Sequence, residues 1–210
     1  VYKRQGRSNQ NVYLQDSTGR FYAIPSHTLP SARGQGEPAS GKLNLPTGAT
    51  LTGLIMGEDD KEVFVGTSAG YGFRTTITDL HTKNKAGKSV VKISPYAQVV
   101  QPKLIYDDNS LIVAVSNEGR MLVFDISNVP KLAKGKGNKI INIPSARLKR
   151  GEEWVVDYAI VGQGTSLLVY SGKRYLSLKY GDLEHYIGER GRRGHKLPRG
   201  FQRVDYLKSE

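Results

Sequence analysis

The sequence predicts an all-β protein made of four repeated units, each a four-stranded blade of a propeller-like disc. Short segments with apolar residues at alternate positions recur along the 210 residues, separated by turns that contain glycine. The turn glycines Gly19, Gly70, Gly119 and Gly172 follow one another at intervals of 51, 49 and 53 residues. A repeat of about 50 residues with four strands is typical of a propeller blade.

Each unit begins with a predicted β-hairpin whose turn holds one of these glycines. The hairpins start at Asn11, Glu62, Ser110 and Ser166. A third strand follows a basic loop in each unit, and these strands are predicted at Gly41–Leu45, Lys88–Ile93, Asn138–Ile143 and Gly194–Leu197. A fourth strand leads towards the next unit, and these strands are predicted at Thr50–Met56, Val99–Tyr106, Trp154–Val161 and Arg203–Leu207.

The repeat also sets the expected boundaries within a single domain. The blades are expected at residues 11–60, 61–108, 109–162 and 163–210, and residues 6–10 are interpreted as the remnant of a preceding blade. The first five residues, Val1–Gln5, look like a translated sequencing adapter and are interpreted as a non-native scar. With that interpretation, the chain begins inside a longer protein.

The charge of the chain indicates a polyanionic partner. Lys and Arg outnumber Asp and Glu by 31 to 19, which gives a net charge of +12, and such a balance attracts nucleic acid first and anionic membrane second. The sequence shows no basic amphipathic helix and no apolar run of about 18 residues, so a membrane partner is not expected. The absence of cysteine excludes disulfides and thiolate sites and fits a reducing compartment.

The basic residues gather in one loop per unit, in register with the repeat. We call these loops one to four, and they comprise Ser31–Gly41 with the adjacent Lys42, then Lys83–Lys88, Lys131–Pro144 and Gly188–Gly200. A single lysine-rich loop is more often solvated surface without a ligand, but four loops in register favour contacts to a phosphate backbone. The candidate nucleic-acid contacts are Arg33, Lys42, Lys83, Lys85, Lys88, Lys131, Lys134, Lys136, Lys139, Arg190, Arg192, Arg193, Lys196 and Arg199.

Patterns for catalysis are not found in the sequence. Neither a nucleotide-binding loop nor a G-x-S-x-G motif is present. Tyr175 follows Arg174, as in some DNA-cleaving sites, but it lies in an alternating segment and is interpreted as a strand aromatic. Trp154 is expected to pack inside a blade. We therefore predict no catalytic residue and no cofactor in this chain.

Metal binding is weighed at two kinds of residue. The four histidines, which lack metal-ligand spacing, are His27, His81, His185 and His195. The joins between units are acidic, at Glu58-Asp59-Asp60 and Asp107-Asp108, and paired carboxylates of this kind could bind calcium. Tight turns capped by Asp side chains are the favoured interpretation, so no metal site is predicted. Because the joins and the basic loops occupy opposite ends of each unit in sequence, positive charge is expected to collect on one sector of the rim.

Five segments resemble, in order, one known protein family. They read DSTGRFYAI, LPSARGQGEP, AGYGF, KGKGNKIINIP and GERGRRG, and the match extends from about Gly6 to Leu207. On these residues the chain resembles the C-terminal domain of ParC, the A subunit of DNA topoisomerase IV, within the ParC/gyrase A subunit family. The gyrase protein carries a basic Gln-Arg-Arg-Gly-Gly-Lys-Gly heptad, whereas the nearest forms here are Ala133–Gly137 and Arg190–Gly194. That difference favours topoisomerase IV over gyrase.

The resemblance implies a β-pinwheel, a propeller-like disc whose blades exchange strands with their neighbours. It also implies that double-stranded DNA bends along a basic outer rim, positioned for ATP-dependent strand passage, decatenation and supercoil relaxation. The catalytic tyrosine and the ATPase would lie outside this chain, in a ParC dimer with its separate ATPase partner, which needs ATP and Mg. A chromosome condensin is a further expected partner, and the bacterial cytoplasm, with the nucleoid, is the expected location.

Three alternatives stay open at this point. The chain could be the equivalent domain of a gyrase A subunit, a protein-interaction propeller that docks partners on a flat face, or an enzyme propeller. An exposed apolar patch would favour the protein-interaction propeller. A convergent pair of carboxylates would favour the enzyme.

Overall fold

The computed structural model describes residues 4–31 and 33–210, so residues 1–3 of the proposed scar and residue 32 of loop one lie outside the described part. Within that part, 15 strands form four antiparallel sheets, and the helices are short. The prediction of an all-β fold is therefore confirmed. None of the helices in the described ranges is long and apolar enough to cross a membrane.

In chain order the strands are β1 (Asn11–Asp16), β2 (Arg20–Pro25), β3 (Leu51–Ile55), β4 (Glu62–Gly66), β5 (Tyr71–Thr76), β6 (Lys88–Ser89), β7 (Lys103–Ile105), β8 (Leu111–Ser116), β9 (Arg120–Asp125), β10 (Asn138–Lys139), β11 (Val155–Val161), β12 (Ser166–Ser171), β13 (Arg174–Lys179), β14 (His195–Lys196) and β15 (Tyr206–Ser209). The α-helices are α1 (Ile77–Leu80) and α2 (Ser145–Lys149), and short 3₁₀ helices span Ser26–Thr28, Ala39–Lys42, Ile126–Asn128 and Tyr180–Tyr186.

Each sheet is built around one of the predicted hairpins. The strand orders are β3-β1-β2-β6 in sheet one, β7-β4-β5-β10 in sheet two, β11-β8-β9-β14 in sheet three and β15-β12-β13 in sheet four. The first strand in each order is an inner strand. The four inner strands contribute residues to the wall of one central cavity of about 1330 Å³, which gives the molecule its disc-like arrangement.

The outer strand of sheets one, two and three comes from the unit that follows in sequence. These strands, β6, β10 and β14, pair with the second hairpin strand of the preceding unit, and this is the strand exchange of a β-pinwheel. Sheet four has no such strand among the described residues. The edge strand β13 instead begins with Arg174 and ends with Lys179, and charged side chains on an edge oppose pairing with another strand.

The core consists of hydrophobic clusters between consecutive sheets. In β8, Ile112 and Ala114 pack towards sheet two, whereas Val113 and Val115 pack towards sheet four. Successive side chains of a strand point to opposite faces, so a sheet with a neighbour on both sides has a continuous apolar sequence. Burying one Val or Ile side chain contributes roughly 1.5–3 kcal/mol, so face-to-face packing is a main source of stability.

The turn glycines are required by the strand exchange. Gly70 has φ 86°, and a Cβ built on it would lie 2.3 Å from the carbonyl oxygen of Ile141, in the segment that brings in β10. The N–H groups of Ile140 and Ile141 donate to the Gly70 carbonyl. Gly19 meets Val91 in the same way. The glycine spacing therefore marks equivalent turns, as predicted, and only glycine lets the incoming segment approach so closely.

One predicted third strand is wrong, and the other three are shorter than predicted. The segment Gly41–Leu45 forms no strand, because residues 39–42 are a 3₁₀ helix and residues 43–45 are irregular. The strands β6, β10 and β14 have two residues each. Such short strands exist only where a hairpin edge of the preceding unit is available for pairing, and the described chain offers no such edge to unit one.

The prediction that Trp154 packs inside a blade is also wrong. Its side chain is 40% exposed, while the next residue, Val155, is 1% exposed and takes the inward position at the start of β11. The side chain of Asn117 accepts a 2.9 Å hydrogen bond from the Trp154 N–H and holds the residue at the surface.

Candidate nucleic-acid interface

The four basic loops lie side by side, although about 50 residues of sequence separate one from the next. The first junction joins loops one and two, where the Asn44 N–H, just after loop one, donates 2.9 Å to the Lys85 carbonyl of loop two. At the second junction, Gly135 of loop three donates to the Val90 carbonyl and accepts from the Lys92 N–H, both at 2.8 Å. Val90 and Lys92 follow loop two directly, so loops two and three are joined through main-chain atoms.

The third junction joins loops three and four. The Gly191 N–H donates 2.8 Å to the Ile140 carbonyl, and the Asn142 N–H donates 2.9 Å to the Arg192 carbonyl. We call the four loops, together with the segments that these bonds connect, the basic belt. Because the loops precede the outer strands of the sheets, the belt follows the outer edge of the disc. The structure thus brings the sequence-predicted loops together in their chain order.

Several cations of the belt are free to contact a ligand. Their side chains are exposed and make no hydrogen bond or ion pair within residues 4–31 and 33–210. They are Arg33, Lys83, Lys85, Lys134 and Arg199. Arg199 lies in the turn that follows β14, where the Phe201 N–H donates to the Pro198 carbonyl, rather than in the loop itself.

Other cations are positioned by neutral groups and keep their charge uncompensated. The ammonium of Lys88 donates 2.6 Å to the Asp79 main-chain carbonyl, and that of Lys196 donates 3.1 Å to the Glu118 carbonyl. The Lys139 ammonium reaches the side chain of Asn142, and the Arg190 guanidinium donates 3.1 Å to the Lys139 carbonyl. These contacts fix the direction of the side chains without neutralising them.

A third group of candidate residues is paired with carboxylates. Lys42 lies 3.2 Å from Glu37, Arg192 lies 2.9 Å from Glu189, and Lys131 pairs with Glu62. An exposed ion pair of this kind is worth about 1 kcal/mol at most. A phosphate can therefore compete for these cations, but each starts from a neutralised state.

Arg193 differs from the other candidates because its partner is buried. The Glu153 side chain is 0% exposed and lies 2.9 Å from the Arg193 guanidinium and 3.4 Å from that of Arg147. Arg193 also donates 2.9 Å to the Asn142 carbonyl. A buried carboxylate needs these partners, so Arg193 fastens loop four to the body of the protein.

The basic residues near α2 are compensated by nearby acids. The guanidinium of Arg150 hydrogen-bonds Glu152 and lowers the pKa of that carboxyl below its usual value. The hydrogen bond from Arg147 to Glu118, at 2.6 Å, raises the pKa of Arg147. This part of the surface therefore adds little positive potential to the belt.

Sequence reasoning missed a set of residues beneath the belt. They occupy one repeated position, the first residue of the second hairpin strand, and contact the incoming loop. Arg20 donates 3.0 Å to the Ala86 carbonyl of loop two, and Arg120 donates 3.4 Å to the Gly194 carbonyl of loop four. At the same position, Tyr71 lies under loop three, with the Lys136 ammonium 3.9 Å from its ring centroid. The available signal was the residue directly after each turn glycine.

The acidic joins form turns at the other end of the hairpins. The Lys61 N–H donates to the Glu58 carbonyl, and the Asp107 side chain accepts 2.9 Å from the Asn109 N–H. Among the described residues, no group of three or more His, Cys, Asp or Glu side chains could hold a metal ion. The joins precede the first hairpin strand and the glycine turns follow it, so acids and turn glycines lie at opposite ends of that strand.

Tyr175 lies within β13, as predicted. It is opposite Tyr170 in the β12–β13 register, with their ring centroids 5.8 Å apart. Tyr170 also stacks on Tyr206 at 4.3 Å. The three rings form a small aromatic surface on sheet four.

The fold and the belt together define a class of protein, namely pinwheel-type propeller modules with a basic outer edge. The family model described as "DNA gyrase C-terminal domain, beta-propeller" matches residues 61–105 and 110–160. The A subunit of DNA topoisomerase 4 from Pseudomonas aeruginosa is 52% identical to the chain over 203 residues, and that from Escherichia coli is 48% identical over 201. Each alignment covers 96% of this chain and 27% of the relative, so the chain spans about a quarter of these proteins.

Solved structures give the same result at the level of the domain. The E. coli ParC C-terminal domain has a TM-score of 0.86 and 47% identity, covering 98% of this chain and 83% of that one. The C-terminal domain of DNA gyrase A has a TM-score of 0.72 at 17% identity, covering 95% and 65%, which shows the shared fold. The chain belongs to the family of ParC C-terminal domains, those of the topoisomerase IV A subunits.

Proposed function

We propose that this chain is a non-catalytic module that binds and bends double-stranded DNA for a type IIA topoisomerase. The observation that supports it best is the continuity of the basic belt, in which three sets of main-chain hydrogen bonds join four loops along one edge. Lys and Arg side chains on such a belt suit phosphate groups, which carry no sequence information. Binding would therefore be tolerant of sequence.

Bending follows from the same geometry. The belt runs around a disc, so a duplex that contacts several loops at once must curve around the edge. Bending DNA costs of order 1–6 kcal/mol over a site of 20–30 base pairs, and additional phosphate contacts offset this cost. A belt that distributes its cations over four blades provides such contacts along the whole path.

In the parent enzyme, the module would position DNA for ATP-dependent strand passage, decatenation and supercoil relaxation. That enzyme would be topoisomerase IV, a ParC dimer with its ATPase partner, acting in the bacterial cytoplasm at the nucleoid. The identity of 45–52% to several topoisomerase 4 proteins, against 17% to the gyrase A structure, supports this assignment over gyrase. ATP and Mg would be bound elsewhere in the complex, and a chromosome condensin remains a proposed partner.

A salt titration of DNA affinity tests the proposal. Each phosphate contact contributes roughly −0.9 to the slope of log K against log salt concentration, so six contacts would weaken binding on the order of a thousandfold between 50 and 200 mM salt. The measurement uses fluorescence anisotropy with two duplexes of equal length and different sequence. An affinity that is flat in salt, or that differs strongly between the duplexes, contradicts phosphate binding.

A protein-interaction propeller is a weaker candidate, favoured by the aromatic surface on sheet four. Tyr175 is 59% exposed and Tyr206 is 48% exposed. Both tyrosines lie close to charged residues, Arg174 and Lys208, rather than in a broad apolar patch. A partner that bound there would leave the salt slope for DNA unchanged, which separates the two functions.

A further inference from the structure

The contact between the Tyr71 ring and loop three distinguishes blade two from its neighbours. In blades one and three the corresponding residues are Arg20 and Arg120, and each directs its guanidinium to a main-chain carbonyl of the incoming loop. In blade two the arrangement is reversed. The hairpin supplies a neutral ring, and the loop supplies the cations.

Two ammonium groups lie over this ring. The Lys136 Nζ is 3.9 Å from the ring centroid, and the Lys139 Nζ is 5.9 Å from it. Lys139 is opposite Tyr71 in the β10–β5 pairing, so the backbone fixes its place. An aromatic face attracts a cation within about 6 Å, and it does so without cancelling the charge as a carboxylate would.

A third cation comes from loop four. Arg190 donates 3.1 Å from its guanidinium to the Lys139 carbonyl, and the Gly191 N–H donates 2.8 Å to the Ile140 carbonyl. The junction of loops three and four is thereby fixed next to the ring. The nearby carboxylates are engaged elsewhere, since Glu189 pairs with Arg192 and Glu62 pairs with Lys131 and Arg74.

We propose that Tyr71 is a positioning residue for DNA binding, whose ring orients Lys136 and Lys139 beside Arg190 to form a seat for a phosphodiester group. The inference rests on the proposed DNA binding and adds where the belt binds a phosphate in a preformed way. An exposed lysine loses rotamer freedom when it binds. Because Lys136 is already held over the ring, less freedom is lost at this site than at Lys134, which makes no such contact in the described structure.

A double-mutant cycle measures this effect in the full chain. Tyr71→Leu is expected to weaken duplex binding by about twofold to fivefold, which is the range for an exposed cation–aromatic contact, while the salt slope stays unchanged because no charge is lost. Tyr71→Phe keeps the aromatic face and should bind like wild type. In a Lys136→Ala background, Tyr71→Leu should cost less than about twofold. Tyr175→Leu, at an exposed tyrosine of sheet four, is the matched control.

The contact itself is tested without DNA. The side-chain CH₂ signals of Lys136 should be shifted upfield by the Tyr71 ring current in NMR spectra and should return to ordinary values in Tyr71→Leu. If those signals are unshifted, or if Tyr71→Leu weakens binding equally with and without Lys136, the positioning role is overturned while the proposed function stands. A wild-type chain with no salt-dependent DNA binding overturns the proposed function itself.

Discussion

Two neighbouring arginines of loop four show how residues of one type take different roles. Arg192 is exposed and pairs with Glu189, whose side chain is also exposed. Arg193 pairs with Glu153, which is completely buried. In water, the first pair can exchange its partner for a phosphate at little cost. The second pair cannot, because its loss leaves a carboxylate inside the protein.

Arg193→Ala should therefore destabilise the fold, whereas Arg192→Ala should not. Glu153 would keep only the 3.4 Å contact to Arg147, and we expect a loss of about 2–4 kcal/mol in the free energy of unfolding. Arg192→Ala should stay within about 0.5 kcal/mol of wild type. Urea unfolding followed by circular dichroism compares the two, and equal losses would contradict the distinction.

The turn glycines allow a second matched comparison. Gly70 and Gly172 both have positive φ, at 86° and 60°, but a Cβ at Gly70 would collide with the Ile141 carbonyl oxygen, whereas nothing lies within 4 Å of one at Gly172. Gly172→Ala should cost about 1–2 kcal/mol from backbone strain alone. Gly70→Ala should cost at least about 3 kcal/mol, because the incoming segment must also move. Thermal melts of the two variants that shift equally would refute a role for strand exchange.

At the scale of the element, the basic loops differ in how much free charge they present. Loop three carries the free Lys134 and the ring-held Lys136, while loop one carries Arg33 and a lysine, Lys42, that pairs with Glu37. Because loops are joined to the body through main-chain atoms, removing their side-chain charges leaves the apolar core untouched. Charge and stability are therefore separable in the belt.

The double variant Lys134→Ala/Lys136→Ala should weaken DNA binding and make the salt slope shallower by roughly two units, while Arg33→Ala should change it by at most about one. Both variants should melt close to wild type, since exposed substitutions usually stay within about 0.5 kcal/mol. Salt-dependent anisotropy and melts on the same preparations provide the comparison. If Arg33→Ala weakens binding more, the DNA path must lie over blade one.

The elements also show where sequence reasoning succeeds and where it stops. The hairpins and their glycines could be predicted because strand alternation and a turn are local signals. The partner of β10 could not, because the spacing of the repeat is the same whether the third strand joins its own hairpin or the preceding one. The pairing of Arg193 with Glu153 was hidden for a similar reason, since a basic residue in a loop carries no mark of a partner 40 positions away.

At the scale of the whole molecule, the exchange makes the two ends of the disc unequal. Sheet three takes β14 from unit four, and its Val113 and Val115 pack against that unit. Unit one gives no outer strand to any sheet among the described residues. Loss of unit four thus removes a strand from a neighbouring blade, whereas loss of unit one leaves every remaining sheet with its own strands.

Two truncated chains test this asymmetry. A chain that ends at Gly162 should melt at a lower temperature and bind a hydrophobic dye more strongly than one that begins at Lys61, because it uncovers one sheet face and also deprives sheet three of β14. The chain that begins at Lys61 uncovers a face of sheet two but keeps all four of its strands. Similar melting temperatures for the two chains would argue against the asymmetry.

Because the outer strands come from the following unit, the order of synthesis matters for when each part of the belt is completed. A hairpin leaves the ribosome first and waits for part of the next unit to be made before its outer strand emerges. The loop that precedes this strand reaches its hairpin at the same moment. Each blade thus acquires its cationic loop only when its successor has been translated, so a nascent disc gains affinity for nucleic acid one blade behind its own growth.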